Sequence, residues 1–101
     1  MPATTKHDVT VDFGSIALTG TLDHDDEQRS LVLVTNEGSE PISVSLQAYG
    51  LIPMPGNVFI KDWSEHTGLT ARLAAAGLVR IVRNMAVGPF RSTAFEVEVT
   101  F

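Results

Sequence analysis

The chain contains no cysteine. No disulfide framework can hold it, and no thiolate chemistry is open to it. Secreted domains of this size often lean on disulfides, so the absence points to a reducing compartment and an expected cytoplasmic location, a phage particle being the other setting. No apolar run approaches the roughly 20 residues of a membrane span, and Met1-Pro2-Ala3-Thr4-Thr5-Lys6 has no apolar h-region. Neither a membrane partner nor a signal peptide is expected. Basic residues are few: seven Lys and Arg stand against twelve Asp and Glu, for a net charge of −5. Such a chain repels phosphate backbones, so no nucleic-acid partner is expected. There is also no P-loop, no dinucleotide fingerprint and no G-x-S-x-G elbow.

What is present is an ordinary globular composition. The 101 residues are 44% apolar and 19% charged, which suits one domain. A domain of this size buries roughly 60–70% of its unfolded surface. The charge is uneven. Residues 1–40 carry eight acids against Lys6 and Arg29, a net −6, whereas residues 41–101 carry five bases against four acids, a net +1. Solvated hairpin loops account for this; the sharper alternative is an acidic face that meets a basic face on another copy.

The dominant pattern is a period of two. Val9, Val11 and Phe13 alternate with polar neighbours, as do Ile42, Val44 and Leu46, and Phe95, Val97, Val99 and Phe101. Ser15 to Leu22 alternates through Ile16 and Leu18. Leu31 to Val34 is a continuous apolar run, in which Leu31 and Leu33 are assigned to the core and Val32 and Val34 to the opposite face. Val58 to Ile60 and Leu78 to Val82 read as further strands, and Met85 to Val87 as a continuation or a short separate strand. Polar segments at Asp23–Gln28 and Asn36–Pro41 read as turns. Glu96, Glu98 and Thr100 are expected to face solvent. The fold predicted is all-β: a single antiparallel immunoglobulin-like sandwich of about seven strands over residues 7–101, after a flexible lead at 1–6. One short inserted helix is expected over about 63–76. Asp62 and Glu65 have capping-box spacing, Leu69, Leu73 and Ala76 follow at helical spacing, and Gly77-Leu78 suits a Schellman ending. Gly68 favours a start near Thr67.

Val11-Asp12-Phe13-Gly14-Ser15-Ile16 and Val34-Thr35-Asn36-Glu37-Gly38-Ser39-Glu40-Pro41-Ile42-Ser43-Val44, with the closing Val99-Thr100-Phe101, resemble the hydin-type (ASH) immunoglobulin-like domains, relatives of the major sperm protein domain. The family pattern is an FGxV opening, a vtNxGxxPhxh hairpin and a terminal VxF. Gly88-Pro89-Phe90 stands where the family has a Pro-Gly turn. Residues 49–78 depart from it. The resemblance implies a protein-interaction or scaffolding module and carries no catalytic residues.

The candidate chemistry is sparse. His24 among Asp23, Asp25, Asp26 and Glu27 lacks calcium-loop or EF-hand spacing, and a solvated hairpin loop is expected there. His7, His24 and His66 form no local pair suited to zinc. Ser64, Glu65 and His66 are consecutive at a helix start, so they diverge, and a capping role is expected. No catalytic residue, no metal and no cofactor is assigned. The interaction candidates are Tyr49, Leu51, Ile52, Met54 and Trp63. Two prolines and two glycines bar this segment from regular pairing, so its apolar side chains either cover an open end of the sandwich or stay on the surface. The expected function is a non-catalytic interaction or structural module, its partner a second copy or another protein. Pairing through either Thr93–Phe101 as a free edge or the 49–63 segment is expected. The alternatives are a small-molecule binder or enzyme with a pocket between helix and sheet, and a phage structural protein.

Overall fold

The alternating runs become strands because only one face of each can be buried. The computed structural model describes residues 4–14, 16–62 and 67–101. In chain order these form β1 (Thr4–Asp12), β2 (Ala17–Asp25), β3 (Ser30–Thr35), β4 (Gly38–Pro41), a 3₁₀ turn (Gln47–Tyr49), β5 (Asn57–Lys61), α1 (Leu69–Ala75), β6 (Val79–Val87) and β7 (Ser92–Val99). One sheet has the order β1-β2-β3-β4 and the other β5-β7-β6, all antiparallel. The first sheet is thus a plain meander, whereas a constant-type immunoglobulin sheet interleaves strands from distant parts of the chain.

The core between the sheets is largely where the alternation placed it; the exceptions are Val44 and Leu46, expected on the same face as Ile42, which pack in a second cluster because the chain crosses between the sheets at Ile42 and Ser43. Val9, Val11, Phe13, Leu31, Leu33, Ile42 and Val97 are buried there together with Leu22, Val58, Ile60, Leu69 and Leu73, and Phe95 and Val99 pack against them half-buried. Each fully buried leucine contributes roughly 1.5–3 kcal/mol over an exposed one. Val32 and Val34 do turn to the other face, where Val34 is exposed.

Several boundaries differ from the sequence reading. Thr4–Lys6 belong to β1 and pair with His24, Asp23 and Leu22, so half of the expected lead is strand. Asn36 and Glu37 alone form the turn, since Thr35 pairs with Gly38, and the following Gly38–Pro41 is β4. Pro41, lacking an N–H, is tolerated because it lies on an edge. Ile42 and Ser43 then cross between the sheets: both amides reach the Leu31 carbonyl, and Ser43 bridges Ile60. Residues 79–87 form one strand with a register shift between Ile81 and Arg83, which leaves Val82 as the extra residue of a bulge.

The helix is shorter than expected, Leu69–Ala75 instead of about 63–76; Trp63, Ser64, Glu65 and His66 lie outside the described residues, and with them half of the capping box. The Asp62 carboxylate still caps from upstream. It accepts the Gly68 amide at 2.8 Å and the Thr70 amide at 3.0 Å, while Gly68 itself takes the left-handed N-cap position at φ 84°. At the other end Gly77, with φ 76°, donates to the Ala74 carbonyl and Leu78 to that of Leu73, a complete Schellman ending with Leu73 and Leu78 buried together. Asp62→Ala is expected to lower stability by about 1–2 kcal/mol, read as a shift in the urea midpoint at constant slope. An unchanged midpoint would remove Asp62 from the cap.

Candidate functional site

The second sheet has a further layer on its outer face. After crossing between the sheets, the chain runs back over β5, β7 and β6. Leu46, Phe59, Val87 and Ala94 are buried in this layer, with Val44, Leu51 and Met85 packed against them. The path is set by local bonds. The Leu46 carbonyl accepts the Tyr49 amide at 2.9 Å and the Leu51 amide at 3.2 Å, and Gly50 turns the chain at φ 75°. Asn57 donates to the Met54 carbonyl at 2.9 Å, closing a second turn through Pro55 and Gly56.

Three charged side chains hold this second turn by its backbone. Glu96 projects outward from the middle strand and is only 1% exposed. Its Oε2 accepts the Met54 amide at 3.0 Å and Asn57 Nδ2 at 2.7 Å; its Oε1 accepts Arg83 Nε at 2.7 Å. From the β2–β3 turn, Asp26 Oδ1 accepts the Gly56 amide at 2.6 Å, and Arg29 Nε donates to the Pro53 carbonyl at 3.4 Å. Arg29 also pairs with Asp26 at 3.1 Å. The Asp25 carboxylate shapes that turn by accepting the amides of Glu27 and Gln28. Burial pushes the Glu96 carboxyl upward in pKa, but the bonds from Asn57, Met54 and Arg83 outweigh it and hold the group below its usual range. Glu96 therefore stays ionised as a fixed acceptor.

The side chains of this restrained segment separate into two sets. Leu51 is half-buried and packs on the layer beneath, so of the expected interaction candidates it is a core contact. Ile52 and Met54 are 66% and 65% exposed, and Tyr49 is 54% exposed. Tyr49 lies against the β6–β7 turn, where a Cβ on Gly88 would meet its hydroxyl at 3.2 Å. That turn also carries Phe90, fully out in solvent. Trp63 lies outside the described residues. Beside Ile52 an open groove of about 480 Å³ runs between the β2–β3 turn and the crossing segment, lined by Arg29, Ser43, Leu46, Ile52 and Phe59 among others.

Two expectations are corrected here. Glu96 does not face solvent, because the chain folds back over the strand that carries it. His24 is not in a solvated loop: β2 extends to Asp25, and the imidazole is buried, its Nε2 without a hydrogen-bond partner among the described residues. Burial lowers the His24 pKa, and the carboxylates of Asp26 and Asp25 counter it in part. His7 lies on the opposite, outer face of the first sheet beside Thr21 at 3.3 Å, and His66 is outside the described residues. Among the described residues no three His, Cys, Asp or Glu side chains gather as a metal set, and no helix is long and apolar enough to cross a membrane.

Sequence reasoning missed Glu96, Asp26, Arg29 and Phe90. For Phe90 a signal existed: an aromatic residue directly after Gly88-Pro89 sits at a turn tip with no strand face to bury it. For Glu96 there was none, since an acid between Phe95 and Val97 has the pattern of a solvent-facing position. No family model, curated protein or solved structure matches the chain.

Proposed function

We propose that the protein is a non-catalytic interaction module that docks another protein chain through the Tyr49–Met54 segment. The observation that carries this reading is the contrast at the end of one short segment: Glu96 and Arg29 hold the backbone at Met54 and Pro53, and Asp26 holds the adjoining Gly56, while Ile52 and Met54 are held out in water. Ordering the backbone in advance removes much of the entropy cost of binding, and apolar side chains held rigidly outward suit a protein surface. The interaction role implied by the hydin-type resemblance agrees with it. A cytoplasmic setting is part of the same reading.

A second reading has one supporting observation. A hollow of about 380 Å³ lies between α1 and β1, lined by Asp12, Arg72, Leu73 and Leu78 among others, and it suits a small-molecule binder or enzyme. Its ionisable groups are already engaged with each other, Arg72 Nε standing 3.9 Å from Asp12 Oδ2, which favours the first reading.

The test is a photo-crosslinking residue placed at Ile52 or Met54, with Thr10 on the outer face of the first sheet as control. Adducts with a protein chain are expected from positions 52 and 54, and a crosslinker at 52 is expected to lose them when Met54→Asp is added, as is one at 54 when Ile52→Asp is added, with circular dichroism and melting temperature close to the parent's. Equal adducts from Thr10, or none from the loop, remove the reading.

A further inference from the structure

We infer that the free edge of β6 is the seam of a two-fold homodimer, in which a second copy adds its own β6 antiparallel and the two three-stranded sheets become one of six strands. This rests on the interaction reading above and goes further by naming the partner.

Four strands end the sheets, β1, β4, β5 and β6. An unpaired strand edge is a template for another strand unless something blocks it. β4 has four residues and ends in Pro41. β5 is covered by its own chain, through the Ser43–Ile60 bridge and the bond from the Val44 amide to the Phe59 carbonyl. β1 is broken by a register shift between Lys6 and Val9, with Asp8 at φ 56°, and Arg72 reaches across to the Asp12 carbonyl at 3.5 Å. β6 differs. Beyond the bulge at Val82, Arg83–Val87 pair one for one with Glu96–Ser92 of β7, a regular run of about 16 Å. Arg80 through Asn84 are all exposed, and Ile81 and Val82 keep 41% and 43% of their surface in water.

The chemistry of this edge selects its own copy over an acidic or basic peptide. Its two cations are neutralised inside the sheet, Arg80 by Glu98 at 2.9 Å and Arg83 by Glu96 at 2.7 Å. The strand therefore asks for no countercharge. What remains is apolar or self-complementary: Ile81, Val82, Ala86, and Asn84, whose amide both donates and accepts. A second β6 brings the same neutral set. Glu96 on the middle strand links β6 to the loop, accepting Arg83 through Oε1 and the Met54 amide through Oε2.

Sedimentation velocity of the full chain at micromolar concentration tests the proposal, alongside hydrogen exchange read at several concentrations. A dimer is expected, with amides in the Val82–Val87 run exchanging more slowly as concentration rises. Val82→Lys/Ala86→Lys, at two exposed positions, is expected to weaken the dimer at least about tenfold with unchanged circular dichroism. If that variant does not fold, the concentration dependence of exchange in the unaltered chain decides between seam and no seam. A monomeric parent chain overturns the proposal, and so does a dimer that survives the lysine pair or leaves β6 exchange unchanged. Dimer loss only in Ile52→Asp/Met54→Asp overturns the β6 seam and leaves the loop reading intact; dimer loss in the lysine pair, with no crosslinks from the loop, supports the seam while the loop reading falls.

Discussion

Glu96→Ala is expected to lower stability by about 3 kcal/mol and to free the turn at Met54–Asn57. The carboxylate is the acceptor for the part-buried Met54 amide and for the buried Asn57 Nδ2. Removing one acceptor leaves two donors unsatisfied, at roughly 1–3 kcal/mol for a buried one, and Arg83 loses its partner. Glu96→Gln should recover only part of this. Its amide has one oxygen to offer where the carboxylate serves three donors, and its NH₂ faces another donor. Urea unfolding reads the loss, and the exchange rate of the Met54 amide reads the release. The same group sets a pH dependence. In the unfolded chain it titrates near 4.5, and in the fold it is held lower. The unfolded state therefore binds more protons in that interval. The Glu96 contribution is complete above about 4.5 and disappears as pH falls through the lower, folded value. In Glu96→Gln the acid limb of the stability profile should flatten. An unaltered limb, or an Ala variant as stable as the parent, would mean that the carboxylate does not hold the turn.

Gly20→Ala is expected to be about as damaging, at roughly 3 kcal/mol, through a different cause. Gly20 has an ordinary φ, so backbone freedom is not the reason for glycine here. The reason is space: a Cβ would stand 2.1 Å from the Val34 carbonyl oxygen and 2.9 Å from its carbon. Both are backbone atoms of the adjoining strand and cannot swing aside as a side chain would. Gly20 also takes up the register after the β1 bulge, pairing with Val9. Alanine must push β3 away from β2 or unseat β1. A melting temperature lowered by roughly 10–20 °C is expected, with early loss of amide protection in β1 and β3. An alanine variant as stable as the parent would show that the two backbones do not approach so closely. Gly38→Ala, with open space around its Cβ but φ 134°, separates conformational strain from crowding.

The period-two pattern was enough to place most of the strand residues that face the core between the sheets, because a strand with one wet face must alternate and a one-residue slip would expose the whole set. Val9, Val11, Phe13, Leu31, Leu33 and Val97 were legible for that reason. The Schellman ending at Gly77-Leu78 was legible too, since left-handed φ, a following apolar residue and the preceding leucine all lie within a few positions. Asp62 was identified as a cap, although its distance from the amides it serves was not.

The site was legible only in part. Composition marked residues 49–54 as irregular and apolar, which singled out Tyr49, Ile52 and Met54. Nothing local could divide Leu51 from Ile52, because which of two adjacent side chains turns inward depends on the sheet beneath them. Glu96 and His24 failed for the same reason. Each had the pattern of an exposed position; Glu96 is covered by the loop over the second sheet, and His24 is buried because β2 runs on past it and keeps it on the inward face with Leu22.

By itself the sequence determined the antiparallel β class, the inward face of most strands and the acidic, cysteine-free character, all of which follow from residue spacing and residue chemistry within a few positions. Tertiary structure decided the order of the strands, with β7 in the middle of its sheet instead of at an edge, and β6 left open in its place. It also decided that Glu96, Asp26 and Arg29 converge on one loop. Those outcomes depend on pairings between residues 24 to 42 positions apart, and no local periodicity encodes which distant strand a given strand will meet.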